Sequence, residues 1–200
     1  MKVLVTGGSA SGKSALAERI AASLSSPCIY VATMRSYGEE GAQLVARHRA
    51  QRADLGFLTV ELPSNLEDAK LAELCRRAPE RAALPALAQA GAELVRVHEG
   101  TVLLEDIGNL VANEMFEGER PDHDPQATAA RVCEGIFALM SQCANTVVVA
   151  NQLASDGAEL DEAMRAYVEC VGAVSNRLAA RFDTVLECVA GIPLVVKGGI

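Results

Sequence analysis

Residues 3–20 read VLVTGGSASGKSALAERI. It contains Gly7-x-x-x-x-Gly12-Lys13-Ser14, the spacing of a phosphate-cradling P-loop. Before the loop, Lys2-Val3-Leu4-Val5 is a short run rich in β-branched apolar residues, as in a buried parallel strand. After it, Leu16, Ile20 and Leu24 recur at helical spacing, so 14–25 is predicted to be a helix. Gly7, Gly8 and Gly12 let the backbone turn tightly and aim its N–H groups at an anion. Ser9, Ala10 and Ser11 complete the loop, and the helix that follows adds the positive end of its dipole. Lys13 is placed to reach the β- and γ-phosphates of a nucleotide, and the Ser14 hydroxyl to ligate Mg²⁺.

The rest of the chain fits one domain around that loop. It has 200 residues, half of them hydrophobic, enough for a sizeable core. Apolar strands alternate with alanine-rich helical segments, which predicts an α/β fold of P-loop NTPase type: three layers around a mainly parallel central sheet. A single nucleotide-binding domain over 1–200 is expected. The net charge of −8 argues against nucleic acid as a partner. The positive charge that a polyphosphate needs must therefore be local. Six cysteines at 28, 75, 133, 143, 170 and 188 form no C-x-x-C pair, so reduced, mostly buried thiols are expected. The first strand runs straight into the loop, leaving no room for a signal peptide, and no apolar run is long enough to span a bilayer. A cytoplasmic protein without membrane insertion is expected.

Further strands are predicted at 27–34, 57–62, 101–106 and 146–151, with a C-terminal pair at 183–191 and 192–198. Helices are predicted at 39–52, from 107, over 126–143 and up to Ala180. Residues 64–97 read as mostly helical, broken near Pro79 and Pro85, with a capped start at Ser64-x-x-Glu67. Two places carry further chemistry. Val102-Leu103-Leu104-Glu105-Asp106 is an apolar strand ending in acids, and Glu105, the first polar residue off it, is the candidate partner of Ser14 at Mg²⁺. His48 stands in Arg47-His48-Arg49-Ala50-Gln51-Arg52. Neighbouring arginines disfavour its protonated form, leaving a nitrogen able to attack an electrophile. A solvated basic helix end accounts for the same residues.

Taken in order, these motifs resemble the bifunctional adenosylcobinamide kinase / adenosylcobinamide-phosphate guanylyltransferase family of cobalamin biosynthesis. The match includes Val3 to Glu18, the strand YVAT at 30–33, His48 and Arg52 followed by Thr59 and Glu61, LLEDIGNLVANEMF at 103–116, SNRLA at 175–179 and VAGIPLVVK at 189–197. The resemblance implies a two-step enzyme. A nucleoside triphosphate, ATP or GTP, first phosphorylates the aminopropanol hydroxyl of adenosylcobinamide, a corrinoid. His48 then attacks the α-phosphate of GTP, and the guanylylated histidine passes GMP to the phosphorylated corrinoid, giving adenosylcobinamide-GDP. By the same resemblance Ala32, Thr33, Met34, Arg49, Ala50, Gln51, Arg52, Glu61 and Glu105 line the guanine nucleotide site, and the protein is a homotrimer.

The chain departs from the family pattern at three places. Ala10 stands where the family usually carries Arg. Asn151-Gln152-Leu153-Ala154 replaces the usual N-E-x-G, and Phe57 replaces a Trp. Two other readings stand beside the resemblance. One is a different small-molecule P-loop kinase, which needs the loop and Glu105 but not His48. The other is a family member that binds nucleotide without full activity.

Overall fold

The computed structural model describes residues 1–35, 56–78, 97–117, 124–153 and 160–199. The first strand, β1 (Lys2–Gly7), leads through the glycine loop into helix α1 (Lys13–Leu24). Next come β2 (Cys28–Ala32), β3 (Phe57–Glu61) and α2 (Leu71–Arg77), then β4 (Thr101–Glu105) and α3 (Ile107–Ala112). A π-helical turn at Asn113–Glu117 continues α3. The chain then forms α4 (Pro125–Met140), β5 (Asn145–Asn151), α5 (Glu162–Arg181), β6 (Thr184–Val189) and β7 (Ile192–Lys197). The strands make one sheet in the order β3-β2-β4-β5-β1-β6-β7. All neighbours are parallel except β6 and β7, which form an antiparallel hairpin. This is the α/β architecture the alternating pattern predicts, with a mainly parallel sheet.

The central strands read as nearly unbroken apolar runs because both faces of the sheet are covered. Alternation then divides their side chains between two cores. Val3 and Val5 join Tyr30, Leu103, Val147 and Val149 against α1, whose Leu16, Ala17, Ile20 and Ala21 complete that layer. Leu4, Ile29, Val31, Val102, Leu104 and Val148 face the other way, onto α3, α4 and α5. These three helices begin at aspartates. Asp106 accepts from the Asn109 N–H at 2.7 Å, Asp124 from Gln126 at 2.8 Å and Asp161 from Met164 at 2.8 Å. Each satisfies a backbone donor that the first helical turn leaves unpaired. All six cysteines are free thiols, five of them buried. No helix among the described residues is long and apolar enough to cross a membrane.

One expectation changes. The predicted helix start at Ser64 does not form. The Asn65 N–H is instead held at 2.7 Å by the buried Glu114 carboxylate, which also takes Arg131 Nε at 3.3 Å. Asn113 Nδ2 holds the Pro63 carbonyl at 2.8 Å. Pinned in this way, Asn65 adopts φ +56° ahead of a 3₁₀ turn at Leu66–Asp68, and Ser64 Oγ accepts from Arg35 at 3.5 Å rather than capping. The helix comes later, at Leu71. The predicted helix at 39–52 and the proline-broken stretch beyond Pro79 lie outside the described residues.

Candidate active site

Six parallel strands bring their C-terminal tips to one edge, the place where open α/β sheets bind ligands. The P-loop leaves β1 there. In β2, Ala32 lies opposite Glu61 on one side and Glu105 on the other. Asn151, ending β5, lies opposite Gly7. Because β5 runs between β1 and β4, Asn151 sits between the phosphate loop and the acid-tipped strand.

The loop's shape depends on residues that accept unusual backbone angles. Gly12 has φ +89° and Ala10 φ +54°. A Cβ on Gly7 would lie 2.6 Å from Ser11 Oγ and 2.7 Å from the Cys188 carbonyl, so only glycine fits that point. The Ser11 carbonyl accepts the Gly191 N–H at 2.7 Å and the Cys188 thiol at 3.2 Å. Across a trans peptide the carbonyl and the following N–H point in opposite directions. The Gly12 N–H is thereby turned away from the β6–β7 hairpin. Lys13 is buried, with its ammonium on the Gly8 carbonyl at 3.2 Å. In that position it spans the loop that a phosphate would occupy.

Ser14, in the first turn of α1, donates its hydroxyl to Glu105 Oε1. The other oxygen of Glu105 is buried and accepts no hydrogen bond of ordinary geometry. Burial is the largest influence on this carboxyl and pushes its pKa up. The Ser14 hydroxyl opposes the rise, the charges of Asp106 and Glu18 add to it, and Tyr30 opposes it weakly. A hydroxyl paired with a buried, under-satisfied carboxylate is an oxygen donor set suited to a hard divalent cation. Mg²⁺ fits these two residues.

The remaining expected site residues fall into two groups. Ala32, Met34 and Glu61 lie at or beside the strand tips, with Glu61 and Met34 exposed. Thr33 is fully buried, and its side chain works inside the fold. Its hydroxyl lies 2.9 Å from the Glu105 carbonyl and 2.8 Å from the Asp106 carbonyl, and it accepts the Asp106 N–H at 2.7 Å. Thr33 therefore fixes the acid-bearing tip of β4 from the neighbouring strand. His48, Arg49, Ala50, Gln51 and Arg52 lie outside the described residues. The Gly191 turn, Cys188, Asn151 and Tyr167 are not in the sequence-derived set. They meet the loop and the β4 tip only through long-range contacts.

Comparison with known proteins follows the same lines. The family model described as "Cobinamide kinase / cobinamide phosphate guanyltransferase" matches residues 3–84 and 75–196. The bifunctional adenosylcobalamin biosynthesis protein CobP of Pseudomonas aeruginosa is 29% identical over 99% of this chain and 98% of its own length. The bifunctional adenosylcobalamin biosynthesis protein CobU of Escherichia coli K12 is 29% identical over 98% of this chain and its entire own length. Among solved structures, the flagellar accessory protein FlaH of Methanocaldococcus jannaschii aligns over 99% of this chain and 78% of its own. The TM-score is 0.42 and the identity 12%.

Proposed function

We propose that the chain, which belongs to the cobinamide kinase / cobinamide phosphate guanyltransferase family, carries out both reactions of that name. In the first, the hydroxyl oxygen on the aminopropanol arm of adenosylcobinamide bonds to the γ-phosphorus of ATP or GTP. The bond from that phosphorus to the β-phosphate bridge breaks, and the nucleoside diphosphate leaves. In the second, His48 attacks the α-phosphorus of GTP and expels pyrophosphate. Adenosylcobinamide phosphate then takes the GMP from the histidine to give adenosylcobinamide-GDP. Two displacements suit imidazole, whose bond to phosphorus forms and breaks readily.

The observation that carries this reading is the pairing of Ser14, in the first turn of α1, with Glu105 at the tip of β4, beside Lys13. Phosphoryl transfer is mainly a matter of position and charge, and this corner supplies both. Lys13 and the loop N–H groups hold the β- and γ-phosphates, while Ser14 and Glu105 would hold Mg²⁺. A bound divalent ion neutralises charge on the transferring group. A homo-oligomer, trimeric by the family resemblance, is part of the proposal. The exposed apolar strand β7 supports it: Ile192 is 62% exposed, Val195 59% and Val196 64%. Cytoplasmic location and a single domain complete the reading.

The test is incubation of the protein and its His48→Ala variant with Mg²⁺ and GTP labelled at the α-phosphate. Label that survives denaturation and alkali, is released by mild acid and is missing from the variant supports the guanylylated histidine. If GTP binds and neither protein becomes labelled, the transfer half of the proposal fails. Phosphorylation of cobinamide then decides between a kinase alone and a protein that only binds nucleotide.

A further inference from the structure

Asn151 ends β5, the strand that separates the phosphate loop from the acid-tipped strand. It lies opposite Gly7, where the loop begins, and the next residue, Gln152, donates its N–H to the Gly7 carbonyl at 3.0 Å. β4 pairs Leu104 with Val148, so β5 carries Asn151 further toward the ligand-binding edge than Glu105. The Asn151 amide leans over the end of β4, against Gly108 in the first turn of α3. A Cβ on Gly108 would lie 2.9 Å from Asn151 Nδ2, 3.0 Å from Tyr167 Oη and 3.2 Å from Asp106 Oδ1. Those three side chains therefore fill the space that a larger residue would need. Asp106 is engaged there, accepting the Asn109 N–H and side-chain amide at 2.7 and 3.2 Å. The Asn151 amide is not: among the described residues it has no hydrogen-bond partner, and the residue is partly exposed.

An amide packed in place and yet unpaired is preorganised for a group that arrives from outside. Its surroundings say which group. On one side Lys13 rests its ammonium on the carbonyl of Gly8, the residue after Gly7, and marks the loop end of a triphosphate. On the other, Ser14 and Glu105 mark where a cation shared by the β- and γ-phosphates would be held. The strand between these two sides ends in Asn151. A γ-phosphate that spans from the lysine to the carboxylate therefore passes over the Asn151 amide, while the inner phosphates stay within the loop. The amide offers two N–H donors to such an oxygen. Being uncharged, it does not compete with the cation for Glu105. Tyr167 beside it brings no charge that would repel a phosphate, because burial, followed by the negative charge of Asp106 and the Cys170 thiol, pushes its phenol pKa upward.

We infer that Asn151 is a catalytic residue of the phosphoryl-transfer step, its amide donating to a γ-phosphate oxygen of the nucleotide in the loop, and that Gly108 is the positioning residue that leaves the amide its place. The step itself rests on the kinase half of the function proposed above, whereas the contact is with the donor nucleotide alone. As the acceptor oxygen bonds to the γ-phosphorus and the bond to the β-phosphate bridge breaks, negative charge stays spread over the equatorial oxygens. A donor already aimed at one of them stabilises that charge without reorganising.

The test is titration calorimetry with Mg²⁺ and either ADP or the β,γ-imido form of ATP, which keeps the γ-phosphate but resists cleavage, alongside cobinamide phosphorylation with ATP. Asn151→Ala is expected to raise the Kd of the triphosphate by about tenfold and to leave that of ADP within about twofold. Its kcat for phosphorylation is expected to fall by about a hundredfold. Gly108→Ala drives a methyl group into the amide, so it should shift the same triphosphate-to-ADP ratio by about threefold, and should shift it no further in the Asn151→Ala background. Retained ADP binding verifies the fold of each variant. If Asn151→Ala does not fold, Asn151→Leu, which keeps the volume and lacks the donor, takes its place. An unchanged ratio in folded Asn151 variants overturns the inference, as does an equal loss of ADP binding, which would assign the amide to the inner phosphates. A Gly108→Ala effect that persists in the Asn151→Ala background overturns the positioning role of Gly108. If the ratio shifts as expected but the wild-type protein does not phosphorylate cobinamide, the γ-phosphate contact stands and the kinase reading is overturned.

Discussion

The backbone N–H of Gly191 donates to the carbonyl of Ser11 at 2.7 Å, joining the turn of the last hairpin to the phosphate loop that opens the chain. The Cys188 thiol donates to the same oxygen from 177 residues away. A Cβ on Gly12 would come within 3.3 Å of Gly191 Cα, so the two glycines lie backbone against backbone. The loop is thus braced from outside, on the side opposite the direction of the Gly12 N–H.

Loosening the brace should weaken nucleotide binding. Gly191 has φ +82° with open space where a Cβ would stand, so the cost of Gly191→Ala is conformational. An L-residue in that region costs about 1–2 kcal/mol. ATP Kd is expected to rise by about fivefold and Tm to fall by a few degrees. Cys188→Ala should raise Kd by about twofold, because a thiol is a weak donor, and Cys188→Ser should restore it. Titration calorimetry measures the first effect and thermal unfolding the second. A fall in Tm with unchanged Kd in Gly191→Ala would mean that the hairpin stabilises the fold without shaping the loop.

Glu105 should make stability depend on pH in an identifiable direction. Its folded pKa is raised above the ordinary 4.5 by burial. The native state therefore holds this proton more tightly than the unfolded chain does. The contribution is fully present below about the ordinary carboxyl value and is lost as pH rises through the folded pKa. Glu105→Gln removes the buried charge, so the variant should be more stable than the parent at neutral pH, by on the order of 1 kcal/mol. The difference should shrink toward acid pH. Phosphoryl transfer should nonetheless fall by about a hundredfold or more, as when a group that serves transition-state charge is lost. Thermal unfolding across pH, with turnover of the same samples, checks both. A variant that is less stable at neutral pH would contradict the argument.

Thr33 should matter for stability more than for nucleotide contact. Its hydroxyl touches both carbonyls and one N–H around Glu105 and Asp106, with no exposure to solvent. Thr33→Val preserves volume but leaves the Asp106 N–H without that acceptor. A buried polar group left unpaired costs about 1–3 kcal/mol. Urea unfolding should register that loss, and Thr33→Ser should recover most of it. A neutral Thr33→Val would show that the β4 tip has another support.

The apolar edge strand gives the fourth expectation. β7 pairs only with β6 among the described strands, and it exposes Ile192, Leu194, Val195 and Val196. Long apolar edges invite pairing with another chain unless they are covered. On the homo-oligomer reading, Val195→Lys with Ile192→Lys should lower the mass measured by light scattering to that of one chain. Far-UV circular dichroism should stay unchanged, because exposed substitutions rarely exceed about 0.5 kcal/mol. An assembly that survives both changes would place its interface elsewhere.

Local chemistry in the sequence reached a good part of this. The glycine spacing and Lys13-Ser14 name the loop, and the acid after Leu104 names its partner, because strand tips and helix starts are set by neighbouring residues. Strand order is another matter: nothing local in VLVTG or TVVVAN states that β1 lies between β5 and β6. Thr33 illustrates the limit. The family resemblance names it for the nucleotide site, and its hydroxyl is turned onto the neighbouring strand's backbone at Glu105 and Asp106. Ser64 has the right neighbours for a cap, yet Glu114 and Asn113 fix that segment from 49 and 50 residues away. Gly191 carries no local signal for its role, which depends on a loop distant in sequence. His48 and its arginines, legible as a motif, lie outside the described residues.

The link between Ser11 and Gly191 bears on how the protein is made. Synthesis runs from the N-terminus, so the glycine loop is made before either strand that flanks β1. Part of its brace, Cys188, is translated 177 residues after Ser11. Until then the chain carries the loop's sequence without the partner that sets its shape. A product stalled before that point would bind nucleotide poorly, so competence for the reaction would follow synthesis of the β6–β7 hairpin.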